Sequence, residues 1–135
     1  MSFRIEVSFD IRKTKNVTEM KELIKNLSIK YNADMCFFDH EIMGHGRTIN
    51  RNHAIAIAYF SEQDKIINFI KTIKKINGIY IECVGMDDGL FILIYASKKY
   101  LNFMDKFKAK EYISDKKKLL NGPYKPIIKT ITTKA

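Results

Sequence analysis

Over residues 3–11 apolar and polar side chains alternate, with Phe3, Ile5, Val7, Phe9 and Ile11 set against Arg4, Glu6, Ser8 and Asp10. Successive side chains of a strand point to opposite faces, so this period of two predicts a strand with one core face and one wetter face. After the basic turn Arg12, Lys13, Thr14, Lys15 the period changes. Met20, Leu23, Ile24, Leu27 and Tyr31 recur at helical spacing, and Asn16 stands three residues before Glu19, as in a capped helix start. The pattern predicts a helix over 17–31.

Residues 33–60 then predict a hairpin with strands near 34–42 and 52–60. Ser61 with Asp64 three residues on resembles a second capping box. Ile66, Ile67, Phe69, Ile70, Ile73 and Ile76 form the apolar stripe of a second helix, stopped at Asn77 and Gly78. Two further strands, 79–85 and 90–96, meet at Met86, Asp87, Asp88 and Gly89, where Asp-Gly is a turn signal, and predict a second hairpin. Residues 97–121 predict a helix with a break near Ser114, ended by Gly122 and Pro123. The last stretch reads either as a short edge strand over 127–132 or as an arm.

The predicted order is β-α-β-β-α-β-β-α, and its first six elements are a split βαβ pair. Right-handed crossovers place both helices on one side of an antiparallel sheet. In this order residues 3–96 resemble the ferredoxin-like fold, an α+β class. Leu23, Ile24, Lys25, Asn26 and Leu27 echo Phe69, Ile70, Lys71, Thr72 and Ile73 in the second helix. The expectation is a single domain: an α+β ferredoxin-like core over 1–96 with an extra strand, a basic C-terminal helix over 97–121 packed on it, and a tail over 122–135. That fold carries many unrelated functions, so function has to be argued from side chains.

Composition narrows the class. The chain has 135 residues, 46% hydrophobic and 29% charged, which suits a folded soluble domain rather than a disordered chain. No apolar run reaches the roughly 18 residues that a membrane span needs, and residues 1–10 lack a signal-peptide run. The expected location is intracellular and cytoplasmic, in host cytoplasm for a viral source. Heavy use of Ile, Lys and Asn fits an AT-rich genome, such as that of a large DNA virus or a protist parasite. Two cysteines, Cys36 and Cys83, are too few for a disulfide scaffold and read as reduced, packed residues.

Net charge is +9, unevenly divided. Residues 98–135 carry eleven lysines against Asp105, Glu111 and Asp115, whereas residues 1–97 are close to balanced. A basic segment of this kind attracts phosphate backbones through long-range electrostatics without reading bases. The candidate contacts are Lys98, Lys99, Lys106, Lys108, Lys110, Lys116, Lys117 and Lys118, joined by Arg47 and Arg51 near the first hairpin's turn. A stacking platform of aromatics is missing from the polar side of the first strand, so any nucleic-acid contact is backbone-directed.

The first hairpin holds the most unusual chemistry. Closed symmetrically about residues 46 and 47, it pairs His40 with His53, Phe38 with Ile55 and Cys36 with Ile57. Cys36, His40 and His53 then share a face, with His45 in the turn, a donor set suited to zinc. The same histidines, beside Asp39 or Glu41, are the candidate acid/base groups of an alternative enzyme reading. The chain is also similar to the HUH endonucleases in element order and in Tyr100 and Tyr112 on the last predicted helix, but it contains no His-x-His, the pair on which their metal depends.

The strand 52–60 is apolar on both faces. If helices cover Ala54, Ala56 and Ala58, then Phe38, Ile55, Ile57 and Tyr59 need cover from the C-terminal helix or from a second subunit. The sequence thus favours a non-enzymatic homo-oligomeric binding module with a basic C-terminal segment. Its rivals are a small metal-dependent or acid/base enzyme and a purely structural protein.

Overall fold

The computed structural model describes residues 2–38, 52–87 and 91–98. Within them the chain forms β1 (Ser2–Asp10), a 3₁₀ turn (Ile11–Lys13), α1 (Val17–Lys30), β2 (Met35–Phe38), β3 (His53–Phe60), α2 (Gln63–Ile73), β4 (Ile79–Asp87) and β5 (Phe91–Ala96). The strands make one antiparallel sheet in the order β2-β3-β1-β4-β5. The protein is α+β, a five-stranded sheet with two helices among the described residues. The ferredoxin-like order is matched in part, with β5 lying outside β4. Apart from Ser97 and Lys98, the expected helix over 97–121 and the tail over 122–135 lie outside the described residues.

Both helices sit where the periodicity puts them, but their starts differ. Asn16 Oδ1 accepts the Glu19 backbone N–H at 3.0 Å, so α1 carries the predicted side-chain cap. At α2 the capping residue is Glu62, and its side chain makes no cap bond. Ser61 instead donates to Asp34 Oδ2, while the Asp34 N–H bonds the Tyr59 carbonyl at 2.8 Å. The expected capping box is thus replaced by a tie between the start of β2 and the end of β3. Gly78 lies at φ 87°, a left-handed conformation that an L side chain resists, and turns the chain into β4.

The main core lies on one face of the sheet, here the helix face. Phe3, Ile5, Val7 and Phe9 of β1 pair with Phe60, Ala58, Ala56 and Ala54 of β3. All eight join one buried cluster with Ile24 of α1 and Ile66, Phe69, Ile70 and Ile73 of α2. Both helices therefore cover the same face, as the small alanines allow. Each fully buried large side chain is worth about 1.5–3 kcal/mol relative to exposure in water. α2 is set deeper: it buries four apolar residues, whereas α1 buries Ile24 and leaves Leu23 39% exposed.

The first hairpin pairs one residue away from the expected register. Phe38 lies opposite Ala56 and Cys36 opposite Ala58, not opposite Ile55 and Ile57. Since side chains alternate with a period of two, this step moves Cys36 and Phe38 to the helix face. Phe38 is fully buried, packed edge-on against Phe9 with ring centroids 6.4 Å apart. Lys21 and Lys25 of α1 hold their ammonium groups 5.3 and 5.8 Å from the same ring. The tight burial of an aromatic under α1 is the physical reason for this register. The other face of the hairpin is formed by Phe37, Ile57 and Tyr59, with the Phe37 and Tyr59 rings 6.0 Å apart.

Candidate functional site

The face of the sheet away from the helices, the reverse face, carries the polar row of β1: Arg4, Glu6, Ser8 and Asp10. Alternation predicts that this row faces water. Ser8 and Asp10 are instead buried, at 1% and 7% exposure. β4 adds to the row because its pairing with β1 shifts register between Glu6 and Val7. Cys83 lies opposite Glu6 and Ile81 opposite Val7, which leaves Glu82 between them. Such an irregularity re-aims a side chain. Two neighbouring β4 residues thereby reach the same side of β1.

The resulting bonds link three strands. Ser8 Oγ donates to Glu82 Oε1 at 2.7 Å, and Ser97 Oγ, just beyond β5, donates to Glu82 Oε2 at 2.8 Å. The Ser97 backbone N–H also bonds the Glu82 carbonyl at 2.8 Å. Beside this group the Cys83 thiol donates to Glu6 Oε2 at 2.7 Å. Glu82 is only 5% exposed, a costly place for a carboxyl group unless its oxygens are bonded, as both are here. Desolvation, and secondarily the charge of Glu82, raises the Tyr95 hydroxyl above its ordinary value of 10.0.

At the end of the row Asp10 caps the 3₁₀ turn. Its Oδ1 accepts the Arg12 backbone N–H at 2.9 Å, and its Oδ2 accepts Arg12 Nη2 at 3.1 Å. The hydrogen-bonded Arg12 guanidinium holds the Asp10 carboxyl down at about 2, and His53, opposite Asp10 in the register, adds a smaller pull in the same direction. Asp10 is therefore an ionised acceptor at neutral pH rather than a proton donor. A cleft of about 510 Å³ opens near it, between the 13–16 connection, α1 and the start of β4. Its lining sets Lys13 and Lys15 against Asp10 and Glu19, so it has no single electrostatic preference.

Two members of the zinc-type donor set expected of the first hairpin, Cys36 and His53, lie on different faces of the sheet. Cys36 is on the helix face, packed against the core, whereas His53 is on the reverse face beside Asp10, so the two do not converge. The one-residue change of register separates them. His40, His45, Arg47 and Arg51 lie outside the described residues, as do Lys99, Lys106, Lys108, Lys110, Lys116, Lys117 and Lys118. Lys98 is exposed. No group of three or more histidine, cysteine or acidic side chains among the described residues is placed to hold a metal ion. Of the expected interface residues, Phe38 is on the opposite face from the other three. Ile55 is buried on the reverse face, and Ile57 and Tyr59 are half-buried there.

The arrangement's chemistry is that of a bonded polar layer. A reactive cysteine sits in a positive, partly open setting, whereas Cys83 is fully buried against a carboxyl group. Neither cysteine forms a disulfide. The cluster of Ser8, Glu82, Cys83 and Ser97 was not singled out from the sequence. Its signal was indirect: a strand apolar on both faces, β3, implies a covered reverse face, and the polar row of the adjacent β1 must then share that cover. No family model, curated protein or solved structure matches the chain. No described helix is long and apolar enough to cross a membrane.

Proposed function

We propose that the chain is a non-enzymatic binding module on a ferredoxin-like plan, with a lysine-rich C-terminal segment that contacts an anionic partner of the nucleic-acid class. The carrying observation is the division of charge: eleven lysines against three acidic residues over 98–135, beside a nearly balanced remainder. The sheet order supports the plan, because β2-β3-β1-β4 is the order of a split βαβ pair, with β5 as an addition. The reverse face supports the non-enzymatic half of the reading: its carboxyl groups are engaged by serine hydroxyls and a thiol as acceptors within the fold.

Binding of a labelled oligonucleotide, measured over a range of salt, tests this. Backbone contact predicts that the logarithm of affinity falls linearly with the logarithm of salt, by about 0.7–0.9 per phosphate neutralised. Replacing Lys106, Lys108, Lys110, Lys116, Lys117 and Lys118 by Gln should flatten that slope. An affinity indifferent to salt and to these replacements overturns the reading. The homo-oligomer belongs to the same proposal and is centred on the β2 side, where Met35 is 56% exposed beside half-buried Phe37, Ile57 and Tyr59. Light scattering should give more than one subunit for the parent and one for Ile57→Asp; a monomeric parent removes it.

A further inference from the structure

Three buried apolar side chains stand outside the main core cluster: Ile55 at 6% exposure, and Cys83 and Leu93 at 0%. Their registers put all three on the reverse face, Ile55 opposite Ser8, Cys83 opposite Glu6, and Leu93 opposite Gly85, itself opposite Arg4. The buried patch thus crosses β3, β1, β4 and β5. Both described helices pack on the other face. Neighbours on an uncovered sheet face shield one another sideways but leave their tops wet, so burial this deep requires a second layer.

We propose that residues 99–135 of the same chain are that layer, docking on Ile55, Cys83 and Leu93. Three observations favour this occupant. The burial is complete within a single chain, so no second copy is needed to account for it. The chain leaves β5 at Ser97, whose N–H and hydroxyl are both bonded to Glu82, so its exit is fixed at the margin of the buried patch. Charge is compatible: ten lysines against three acidic residues over 99–135 meet a face on which Glu6, Asp10 and Glu82 outnumber Arg4, with Asp10 paired to Arg12. The 39–51 connection is a poorer fit, because it joins β2 to β3, at the opposite side of the sheet from Leu93 on β5. Apolar residues Tyr100, Leu101, Met104 and Phe107 supply the contact surface. This docking is independent of whether the lysines bind a polyanion.

Thiol labelling of Cys83 in the full chain carrying Cys36→Ala reads the cover directly. The parent should label slowly at a rate independent of protein concentration. Leu101→Asp with Phe107→Asp should raise that rate by at least about tenfold at unchanged circular dichroism, because the layer opens locally while the sheet persists. If the aspartate variant does not fold, Leu101→Ala with Phe107→Ala is read in the same way. Fast labelling of the parent, or a rate unmoved by the substitutions in a folded variant, overturns the proposal. A rate that falls as protein concentration rises assigns the cover to a second copy and overturns it too.

Discussion

Phe9 on the helix face and Ser8 on the reverse face are adjacent in sequence and equally inaccessible to water, yet their burial demands different things. Phe9 needs only shape. It is buried with the β3 alanines, Phe38 and the helices. Ser8 needs a partner, found in Glu82, which in turn needs Ser97. A face built on shape tolerates exchange of one apolar group for another of similar volume, whereas a bonded face is specific, since one missing partner leaves another group buried and unsatisfied. The two sides of one sheet thus divide the work: the helix face supplies most of the apolar burial and the reverse face fixes how the strands and the exit from β5 are aligned.

The largest effect should come from emptying the helix face. Phe9→Ala is expected to lower unfolding stability by about 3–5 kcal/mol in a urea titration, the range for truncating a buried aromatic. A loss below about 1 kcal/mol would mean that this face is not the principal core. The reverse face is probed more finely by Ser8→Ala, which removes one donor and should cost about 1–3 kcal/mol. Adding Glu82→Leu together with Ser97→Ala to Ser8→Ala should recover part of that loss, because the carboxyl left unsatisfied and its second donor are removed with it. If the losses simply add, the bonds among them are not what orders this face, and the contrast with Phe9 fails.

The two faces were unequally legible in the sequence for physical reasons. The helix face is written in local periods, two along β1 and about 3.6 along α2, and each of Phe3, Ile5, Val7, Phe9, Ile66, Phe69, Ile70 and Ile73 is buried as its spacing predicts. The reverse face depends on registers between strands distant in sequence. Ser8 and Glu82 are 74 positions apart, and their meeting rests on a register shift in β4 that no local pattern announces. The first hairpin failed for the same reason. The alternation gave its strands, but the face of Cys36 and Phe38 was set by α1 packing over Phe38, so a symmetric closure misplaced both by one residue. Ser61 shows the same limit at shorter range: a capping pattern was overridden by Asp34, brought close by the β2–β3 pairing.

Acid sharpens the comparison at the edge of the reverse face. The Asp10 carboxyl is held at about 2 against an ordinary 3.8, so folding favours its ionised form. That contribution is fully present above about pH 4, the unfolded value, and is lost as pH falls through about 2. Arg12→Ala removes the main cause and should return Asp10 toward 3.8, flattening the loss of stability between those limits. Carboxyl shifts followed by NMR across pH 2–5, with urea titrations in the same window, check both statements. The arginine side chain is 61% exposed, so the effect should be smaller than that of Ser8→Ala and should shrink with added salt.

The smallest expected effect separates hydrogen bonding from charge as the character of the buried row. Tyr95 is raised above 10.0 first by burial and second by the charge of Glu82. Folding therefore favours the neutral phenol, and the associated stability is present below pH 10.0 and declines as pH rises through the folded value. Glu82→Gln removes the charge and keeps both contacts in reach, its amide oxygen accepting from one serine hydroxyl and its amide nitrogen donating to the other. It should lower the Tyr95 value only part of the way toward 10.0, since burial remains, and an NMR titration of the Tyr95 ring measures this. A Tyr95 value unmoved by Glu82→Gln would mean that the row acts on its surroundings through bonded contacts alone. The two faces would then differ in how their atoms are paired rather than in the field they create, and the attraction of the reverse face for a lysine-rich segment would rest on Glu6, since Asp10 is already paired with Arg12.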